Sequence, residues 1–491
     1  MRRIAFLLAI LPAACEGTSP VDPTTATIRV VSGHIGVDTI DAHLPDLIVA
    51  IVDAGGKPMP AVEVEFEAVD EGPQVHFTHP VGAPSSDFSA LSDGRGRVRA
   101  GIKLGDRVGS AKLIVRVPSS GHQVTVGYYV LAGALAAIRF TPSDTALYVG
   151  ADVHISAVAT DRSGNDRPEP VTLSTPDGSP IALIGNTARG VAFGRAQING
   201  RVEEVRGEAA ISVVPDGVIA LRNVHYNGDG GIMIMNMDGS GVLNLEPRVT
   251  PRVALLRDLE WDATGGHLMF YDEEAVGAEL WKVDLHNQFA PLFTVPPALG
   301  SLRAARPSQD GEWVYFTSLD LRSGAKLMWR ARRDGSQPTR LTPGGDAPNF
   351  QNDEHPFPSP DGRYIVFATD RAPFLLGGPF KLLRLDLATS EMRELNVRGT
   401  HPRWSPTGEW IAYHRDYRIW LVRPDGSGER LVGPSQYQER FAWSPDGKWI
   451  AASREGGPVI DLVEVETGLV LPLNFTGFYD EPAWRPAVPV E

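Results

Sequence analysis

Short stretches in which apolar and polar residues alternate run through most of the chain. In Val62-Glu-Val-Glu-Phe-Glu-Ala every second side chain is apolar, which predicts a strand with one buried face and one wet face. Before residue 215, clusters of turn residues separate such stretches at intervals of about 8–12 residues, a spacing typical of β-sandwiches. The pattern therefore predicts an all-β protein that begins with sandwich domains.

Two sandwich modules are expected, one at residues 27–132 and one at residues 133–214. Strand and turn phrases mark each of them: Asp53, Gly56 and Pro58 with Asp93, Gly96 and Val98 in the first, and segments that begin at Ile138, Leu147, Ile155 and Ala209 in the second. The first set resembles the bacterial Ig-like domains of intimin-type and invasin-type surface proteins, and the second resembles another bacterial Ig-like group. The resemblance implies two Ig-like β-sandwiches that serve as spacers or adhesive surfaces.

After residue 215 the chain becomes self-similar. Five segments share a turn of the Ser-Pro-Asp-Gly type followed by an apolar strand, and they begin at Trp261, Pro307, Pro358, Trp404 and Trp443. The Asp position of the turn, or the Thr that replaces it, falls at 264, 310, 361, 407 and 446. A period of about 40–50 residues with four short strands in each repeat predicts the blades of a β-propeller.

The two ends of the repeat region complement each other. A degenerate first repeat opens at Pro215, and Glu481-Pro-Ala-Trp-Arg-Pro at the other end repeats only the start of one. If the C-terminal strand completes the first blade, no sheet edge stays free, and six blades are predicted over residues 215–487. The Trp-Ser-Pro-Asp-Gly turns and the Asp-Gly-Ser outer turns resemble those of TolB-like propellers over this range. The resemblance implies a binding role in the bacterial envelope, where the TolB-like family works with a peptidoglycan-associated lipoprotein.

The Ser-Pro-Asp-Gly turns at 359–362 and 444–447 are interpreted as scaffold and not as a duplicated catalytic loop. Ser accepts a local hydrogen bond, Pro presets φ, and Gly takes the left-handed position that leads into the next strand. Thr264 and Thr407 replace the Asp in two repeats, which a turn tolerates and a shared catalytic role does not. The Trp that precedes the turn is expected to pack between neighbouring blades.

The turns also locate the central channel. Three residues before the Trp or Pro that precedes each turn lies the start of the inner strand, where propellers open onto the channel, and five of these six positions carry an ionisable side chain. The positions are Asp258, Ala304, His355, His401, Arg440 and Glu481, with Arg257, Arg303, Glu354, Glu439 and Asp480 beside them. We expect the partner-binding residues to be Asp258, Glu354, His355, His401, Arg440 and Glu481.

Three functions stay open for this channel mouth. It can be a solvated rim without specific chemistry, a binding ring for a protein or peptide, or the site of a glycan lyase or hydrolase. The enzyme would use His355 and His401 as ligands of a divalent metal or as proton-transfer groups, with Glu354 or Asp258 within coordination distance. The sequence contains no G-x-S-x-G, no H-E-x-x-H and no phosphate-binding Gly loop.

The expectation is therefore a non-enzymatic binding protein with no catalytic residue, no metal and no cofactor. Its partner would be an envelope protein or peptide associated with peptidoglycan. A purely adhesive or structural surface protein is a second alternative. The net charge of −14 argues against a nucleic-acid partner, because phosphate binding requires clustered Lys and Arg. A monomer is expected.

The N-terminus predicts export. Met1-Arg2-Arg3, a short apolar run and two alanines precede Cys15, the single cysteine of the chain, and this order is typical of a secretory signal. The apolar run is too short to span a bilayer as a helix. Residues 1–15 resemble the signal and lipobox of bacterial lipoproteins, although Pro12 occupies the usual Leu position. The resemblance implies that Cys15 is lipidated and anchors the protein in the periplasm, at the outer membrane or on the cell surface. Residues 16–26 are expected to form a flexible tether.

Overall fold

The protein is all-β, as the alternation predicts. The computed structural model describes residues 22–69, 75–78, 85–223, 231–246, 256–272, 279–294, 299–321, 324–343, 352–370, 380–457, 459–473, 475 and 477–487. These residues form forty-two strands and one short 3-10 turn at Pro23–Thr25, and they include no α-helix. No helix of the described part is long and apolar enough to cross a membrane. The expected signal with Cys15, and most of the tether, lie outside the described residues.

The chain divides into two compact units. The first comprises Met1–Thr141, Ser156–Leu173 and Asn199–Glu208, and the second comprises Pro142–Ile155, Ser174–Ile198 and Ala209–Glu491. Residues 133–214, expected as one module, therefore contribute to both units.

The first nine strands form two sheets around one apolar core. They are β1 (Thr27–Ser32), β2 (Ile35–Thr39), β3 (His43–Val52), β4 (Glu63–Ala68), β5 (Val75–Thr78), β6 (Asp87–Leu91), β7 (Arg97–Leu104), β8 (Gly109–Val117) and β9 (His122–Leu131). The strand orders are β1-β3-β7-β5 and β2-β9-β8-β4-β6. In β4 the apolar Val64, Phe66 and Ala68 are buried and the three glutamates are exposed, so the alternation predicted for this segment is confirmed.

The next nine strands form three smaller sheets. They are β10 (Leu135–Thr141), β11 (Asp144–Tyr148), β12 (Asp152–His154), β13 (Ser156–Asp161), β14 (Thr172–Ser174), β15 (Ile181–Ile184), β16 (Thr187–Gly190), β17 (Gly194–Val202) and β18 (Val205–Val214). The orders are β10-β13, β11-β18-β17-β14 and β12-β16-β15.

The remaining strands form six four-stranded sheets, which we number in chain order as propeller sheets 1 to 6. Sheet 1 contains β19 (Val218–Asn223), β20 (Gly231–Asn236), β21 (Leu243–Leu245) and β42 (Tyr479–Trp484). Sheet 2 contains β22 (Leu256–Trp261), β23 (His267–Asp272), β24 (Glu279–Asp284) and β25 (Phe289–Thr294), and sheet 3 contains β26 (Leu299–Pro307), β27 (Trp313–Asp320), β28 (Lys326–Arg332) and β29 (Thr339–Arg340). Sheet 4 contains β30 (Asp353–Pro358), β31 (Tyr364–Thr369), β32 (Lys381–Asp386) and β33 (Met392–Arg398). Sheet 5 contains β34 (Thr400–Trp404), β35 (Ile411–Arg415), β36 (Arg418–Val422) and β37 (Arg430–Val432), and sheet 6 contains β38 (Tyr437–Trp443), β39 (Trp449–Arg454), β40 (Ile460–Glu464) and β41 (Val470–Pro472).

The inner strands of these sheets contact one another in sequence. β22 contacts β26, the contacts continue through β30, β34 and β38 to β42, and β42 contacts β22 again. Sheet 1 draws its inner strand from the C-terminus, because β42 pairs antiparallel with β19, Trp484 opposite Ile219 and Asp480 opposite Arg222. Four-stranded antiparallel sheets arranged around a shared set of inner strands are the architecture of a β-propeller.

The Ser-Pro-Asp-Gly segments are tight turns between the first two strands of a sheet. The Asp446 carboxylate accepts the Ser444 hydroxyl at 2.6 Å and the Lys448 N–H at 3.0 Å, and the Ser444 hydroxyl accepts the Trp449 N–H at 2.9 Å. In sheet 5, Thr407 stands in the Asp position with its hydroxyl 3.1 Å from that of Ser405. Each Asp or Thr hydrogen-bonds within its own turn, as a scaffold residue does.

The tryptophans that precede the turns pack against the neighbouring sheet. Trp261 lies in one buried cluster with Ala483 of sheet 1, and Trp443 lies in another with Ala412 of sheet 5. The Trp261 indole N–H also donates to the Ala483 carbonyl at 3.1 Å, and that of Trp443 donates to the Arg403 carbonyl at 3.2 Å. The expected packing between sheets is confirmed for these two indoles.

Candidate binding site at the channel mouth

Each inner strand of the propeller is interrupted by a bulge at the position that the turns locate. The pairing register shifts between Arg257 and Glu260 in β22. Shifts also occur in β26, β30, β34 and β38, and in β42 where it pairs with β19. A bulge inserts one unpaired residue and re-aims its side chain. At this position the inner strands therefore carry one extra residue, except β38, which carries two between Tyr437 and Phe441.

Five of the six residues at these positions have a left-handed backbone. Their φ angles are 56° at Asp258, 51° at Ala304, 56° at His355, 51° at His401 and 46° at Glu481. This conformation costs an L-residue about 1–2 kcal/mol. Its recurrence at the equivalent position of five sheets therefore indicates a regular feature of the fold. Arg440 is the exception, since its φ is not positive.

Five of the six residues at these positions line a cavity of about 480 Å³, which we call the channel-mouth cavity. Side chains from all six propeller sheets line it: Arg222, Asp480 and Glu481 from sheet 1, Arg257, Asp258 and Tyr271 from sheet 2, Arg303, Ala304, Thr317 and Lys326 from sheet 3, Glu354 and His355 from sheet 4, Tyr417 from sheet 5, and Gln438, Glu439, Arg440 and Glu455 from sheet 6. Five of the six expected site residues thus line one cavity. His401 does not line it and lies behind His355.

Asp258 is the centre of a buried ion-pair network. Its side chain is 1% exposed, and its Oδ1 accepts hydrogen bonds from Arg306 at 3.2 Å and from Arg440. Its second carboxylate oxygen is buried without a hydrogen-bond partner. Burial lowers the pKa of both Arg306 and Arg440, and nearby carboxylates oppose this, Glu260 beside Arg306 and Glu481 beside Arg440.

Glu481 ties the C-terminal strand to sheet 2. Its Oε2 accepts the backbone N–H of Asp258 at 2.7 Å, and its Oε1 lies 3.5 Å from Arg257 and 3.7 Å from Arg222. Arg222 also donates two hydrogen bonds to Asp480, at 2.6 and 2.5 Å. These pairs fix the orientation of the charges before any ligand arrives.

His355 and His401 form a stacked imidazole pair. Their ring centroids lie 3.6 Å apart with 32° between the planes, and the Nδ1 atom of each is buried without a partner. Burial lowers the pKa of His355 to about 4, against a smaller opposing effect of Glu354. Burial also lowers the pKa of His401 well below its usual value, and His355 adds to this effect. Both rings are therefore neutral near pH 7.

The remaining charged groups lie nearer the rim. Glu354 forms an ion pair with Lys326, and the His401 Nε2 lies 3.6 Å from Glu439, whose side chain is 60% exposed. Tyr417 is 57% exposed. The deep groups are paired with one another, and Glu439 and Tyr417 face solvent.

Among the described residues, no third side chain is placed to hold a metal ion together with the two histidines. Within the described residues, no group of three or more His, Cys, Asp or Glu side chains is placed to hold a metal ion. The two imidazoles contact each other through their rings, with 32° between the planes, whereas ligands of one ion point their nitrogen atoms toward a common centre. The convergence with Glu354 or Asp258 that a metal site would require is not present.

Several residues of the channel-mouth cavity were not expected from the sequence. Arg222 reaches it from β19, Thr317 from β27 and Lys326 from the start of β28. The turn-based register identifies only the inner strand of each sheet, so it cannot find side chains on the second and third strands. The pairing of β42 with β19 was the available signal for Arg222, since it places that residue opposite Asp480.

Comparison with known proteins identifies structural neighbours and no sequence relatives. No protein-family model matches the chain, and no curated protein matches it. Among solved structures, the chain is similar to TolB from Acinetobacter baumannii at 17% identity, over 65% of this chain and 83% of that one, with a TM-score of 0.46. It is also similar to an oligogalacturonate lyase from Vibrio parahaemolyticus at 11% identity, over 70% of this chain and 86% of that one, with a TM-score of 0.37. At these values neither likeness assigns a function.

Proposed function

We propose that this chain is an exported, lipid-anchored envelope protein whose propeller binds a protein or peptide partner at the channel-mouth cavity. The six sheets act as the blades of a six-bladed propeller closed by the C-terminal strand. Two Ig-like sandwiches at residues 27–132 and 133–214 act as the stalk. The protein acts as a monomer without cofactor or catalytic residue, and peptidoglycan-associated proteins are the partners to test first.

One observation carries the proposal, namely the convergence of ionisable side chains from five of the six sheets, with Tyr417 from sheet 5, on one cavity. The deep groups, such as Asp258 with Arg440 and Arg222 with Asp480, are already paired. A partner therefore meets a surface whose charges are fixed, which reduces the ordering cost of binding. Exposed Tyr417 supplies the aromatic contact that is common at the centre of protein interfaces.

Photo-cross-linking in the native envelope tests this proposal. A photoreactive phenylalanine derivative replaces Tyr417 at the cavity, and in a second variant it replaces Gln288, which is exposed in the turn between β24 and β25. We expect one defined partner to be captured from position 417 and not from position 288. Capture of the same proteins from both positions, or of none from position 417, would overturn the proposal.

A charge change identifies the contact chemically. Glu439→Lys reverses an exposed rim charge, and because such charges steer association, we expect it to weaken partner binding about 3- to 10-fold. The matched variant Glu394→Lys reverses an exposed charge on the outer strand β33 and should leave the affinity unchanged. Equal effects of the two variants would argue for long-range electrostatics without a site.

The lipid anchor has its own test. Cys15→Ser removes the acceptor of the lipid, so we expect the variant to lose membrane association while its partner affinity in solution stays the same. Mass spectrometry of the mature N-terminus from the native membrane provides the second measurement. A mature protein that lacks lipid at Cys15 would refute the anchor and leave the binding proposal standing.

A glycan lyase or hydrolase is the second candidate, and the stacked histidines favour it. A neutral imidazole beside a cavity can accept a proton, and both Nδ1 atoms are unpartnered. The enzyme alternative predicts activity on acidic glycans that is lost in a His355→Gln, His401→Gln double variant. Wild-type protein without activity on acidic glycans would count against this alternative.

A further inference from the structure

A second cavity lies on the side of the propeller where the Ser-Pro-Asp-Gly turns are, and we call it the turn-side cavity. Its volume is about 380 Å³, and the tryptophans 261, 404, 443 and 484 line it together with prolines of the turns. Arg306 and Arg403 also line it. The volume falls within the range of about 300–1,000 Å³ that small-molecule sites occupy.

An ion-pair layer separates the two cavities, which share no lining residue. Arg306 contacts Asp258, which lines the channel-mouth cavity, and its Nε lies 3.5 Å from Glu260, which lines the turn-side cavity. Arg403 donates to the same Glu260 oxygen at 2.8 Å. The turn-side cavity is therefore a separate site with its own charged groups.

Two arginines, Arg306 and Arg403, and two carboxylates, Glu260 and Asp262, line the turn-side cavity. Asp262 is paired with Arg333 at 3.4 Å and with His267 at 3.2 Å, so it does not neutralise Arg306 or Arg403 directly. Arg306 and Arg403 share Glu260, while the Asp258 carboxylate is also bound by Arg440 from the other side. Burial lowers the pKa of Arg403 to about 10, which leaves its guanidinium protonated at neutral pH. An anion that enters the turn-side cavity thus finds a cation that Glu260 only partly compensates.

Arg403 keeps donors available for such an anion. Its Nη1 bonds to Glu260, and the other guanidinium nitrogens have no acceptor among the described residues and do not belong to the sealed, unpaired polar atoms. Phe357 and Phe441 hold the guanidinium in place, with ring centroids 5.4 and 5.9 Å from its central carbon. A planar guanidinium with free donors binds carboxylates through paired hydrogen bonds.

We propose that the turn-side cavity binds a carboxylate carried on an apolar body, with Arg403 paired to the carboxylate and the indole and proline surfaces covering the apolar part. This site is independent of partner binding at the channel mouth. Its ligand chemistry can come from a free aromatic or aliphatic acid or from the C-terminus of a peptide that ends in an apolar residue. Both present the same carboxylate and the same apolar group.

Calorimetric titration with two probes that differ only in charge tests the proposal. N-acetyl-phenylalanine carries the carboxylate, and N-acetyl-phenylalaninamide lacks it. We expect saturable binding of the acid and binding of the amide weaker by about tenfold or more, because a charge-assisted hydrogen-bond pair is lost. Equal binding of the two probes, or no saturable binding of the acid, would overturn the proposal.

Variants place the binding at this cavity. Arg403→Gln should weaken acid binding about tenfold and leave amide binding unchanged. Since Arg403 is buried, a second pair of variants uses the exposed Gln309, which lines the cavity. Gln309→Glu should weaken acid binding and Gln309→Lys should not, whereas Gln288→Glu in an outer turn should have no effect. Equal affinities in Gln309→Glu and Gln309→Lys would contradict the assignment.

Longer probes identify the source of the ligand. A decapeptide that ends in phenylalanine with a free C-terminus is compared with its C-terminal amide. Binding of the free peptide as tight as that of the small acid supports a peptide C-terminus. Binding of the small acid alone supports a metabolite-sized ligand.

Discussion

At the residue scale, the bulge positions keep side chains in a conformation that glycine would adopt without cost. Asp258, His355 and Glu481 gain ion pairs, a ring contact or hydrogen bonds in return. Ala304 is 3% exposed and gains none of these. At Ala304 the left-handed backbone therefore serves the strand geometry itself and not a side-chain contact.

Two neighbouring alanines test this cost. Ala304 has a φ of 51°, while the equally buried Ala305 does not have a positive φ. Removal of the methyl group at either position loses similar burial, but only at Ala304 does glycine relieve about 1–2 kcal/mol of strain. We expect Ala304→Gly to be more stable than Ala305→Gly by about that amount in urea unfolding. Equal stabilities would show that the bulge stores no strain.

Tryptophan fluorescence is the suitable probe for such measurements. All ten tryptophans lie between residues 261 and 484, within the second compact unit. The signal therefore reports the propeller sheets and not the first unit.

His355 should make stability depend on pH. Because its folded pKa is about 4 and its usual value is near 6.5, the unfolded state binds the proton first as the pH falls. The contribution of the neutral His355 ring to the free energy of unfolding is complete above pH 6.5 and is lost progressively as the pH falls toward 4. The loss amounts to about 2 kcal/mol between pH 7 and pH 5. His355→Gln should reduce this pH dependence, measured as the difference in unfolding free energy between the two pH values. An unchanged dependence in the variant would mean that the pKa of His355 does not differ between the folded and the unfolded state.

At the element scale, the Ser-Pro-Asp-Gly turn depends more on its glycine than on its aspartate. Gly362 has a φ of 68°, and a Cβ there would meet no atom within 4 Å. Thr407 takes the Asp position in sheet 5 and keeps the local hydroxyl contact. Backbone conformation is therefore the strict requirement of the turn.

Two substitutions in one turn separate these requirements. Gly362→Ala should destabilise the protein by about 1–2 kcal/mol through strain alone. Asp361→Thr copies the turn of sheet 5 and should cost less than about 1 kcal/mol. Urea unfolding followed by tryptophan fluorescence measures both, and a larger loss for Asp361→Thr would contradict the scaffold interpretation.

The sequence located the turns and the inner strands because both follow a short, repeated motif. It placed Asp258, His355 and Glu481 at the channel mouth since a fixed distance separates them from the turn. It did not find Lys326 or Arg222, whose positions depend on how the second and third strands face the cavity. It also predicted that both His355 and His401 line the cavity, whereas only His355 does. The contact between the two rings depends on the bulge geometry in two adjacent sheets, which the motif spacing does not reveal.

At the scale of the whole molecule, the C-terminal strand joins three sheets. β42 pairs with β19 and contacts both β22 and β38. Glu481 accepts the Asp258 N–H, and Asp480 binds Arg222. Loss of this short strand therefore removes contacts on both sides of sheet 1.

Truncation after Phe478 should prevent cooperative folding of the second unit or lower its unfolding midpoint by more than about 10 °C, since several buried contacts and ion pairs are lost together. Truncation after Ala487 retains β42 and is the matched control. Thermal unfolding followed by tryptophan fluorescence distinguishes the two. A cooperative transition at an unchanged midpoint after the shorter truncation would show that β42 is dispensable.

During synthesis, β19 cannot pair with β42 until the ribosome has reached the end of β42. Arg222 and Asp480 are 258 residues apart, and at about 5–20 residues per second a ribosome needs roughly 10–50 s to cover that distance. During this interval β19 presents a free edge to which other chains can add a strand. A nonsense mutation at or just before the codons of β42 (Tyr479–Trp484) would make this temporary edge permanent, so aggregation or degradation, and not a modest loss of affinity, is the expected fate of such a product.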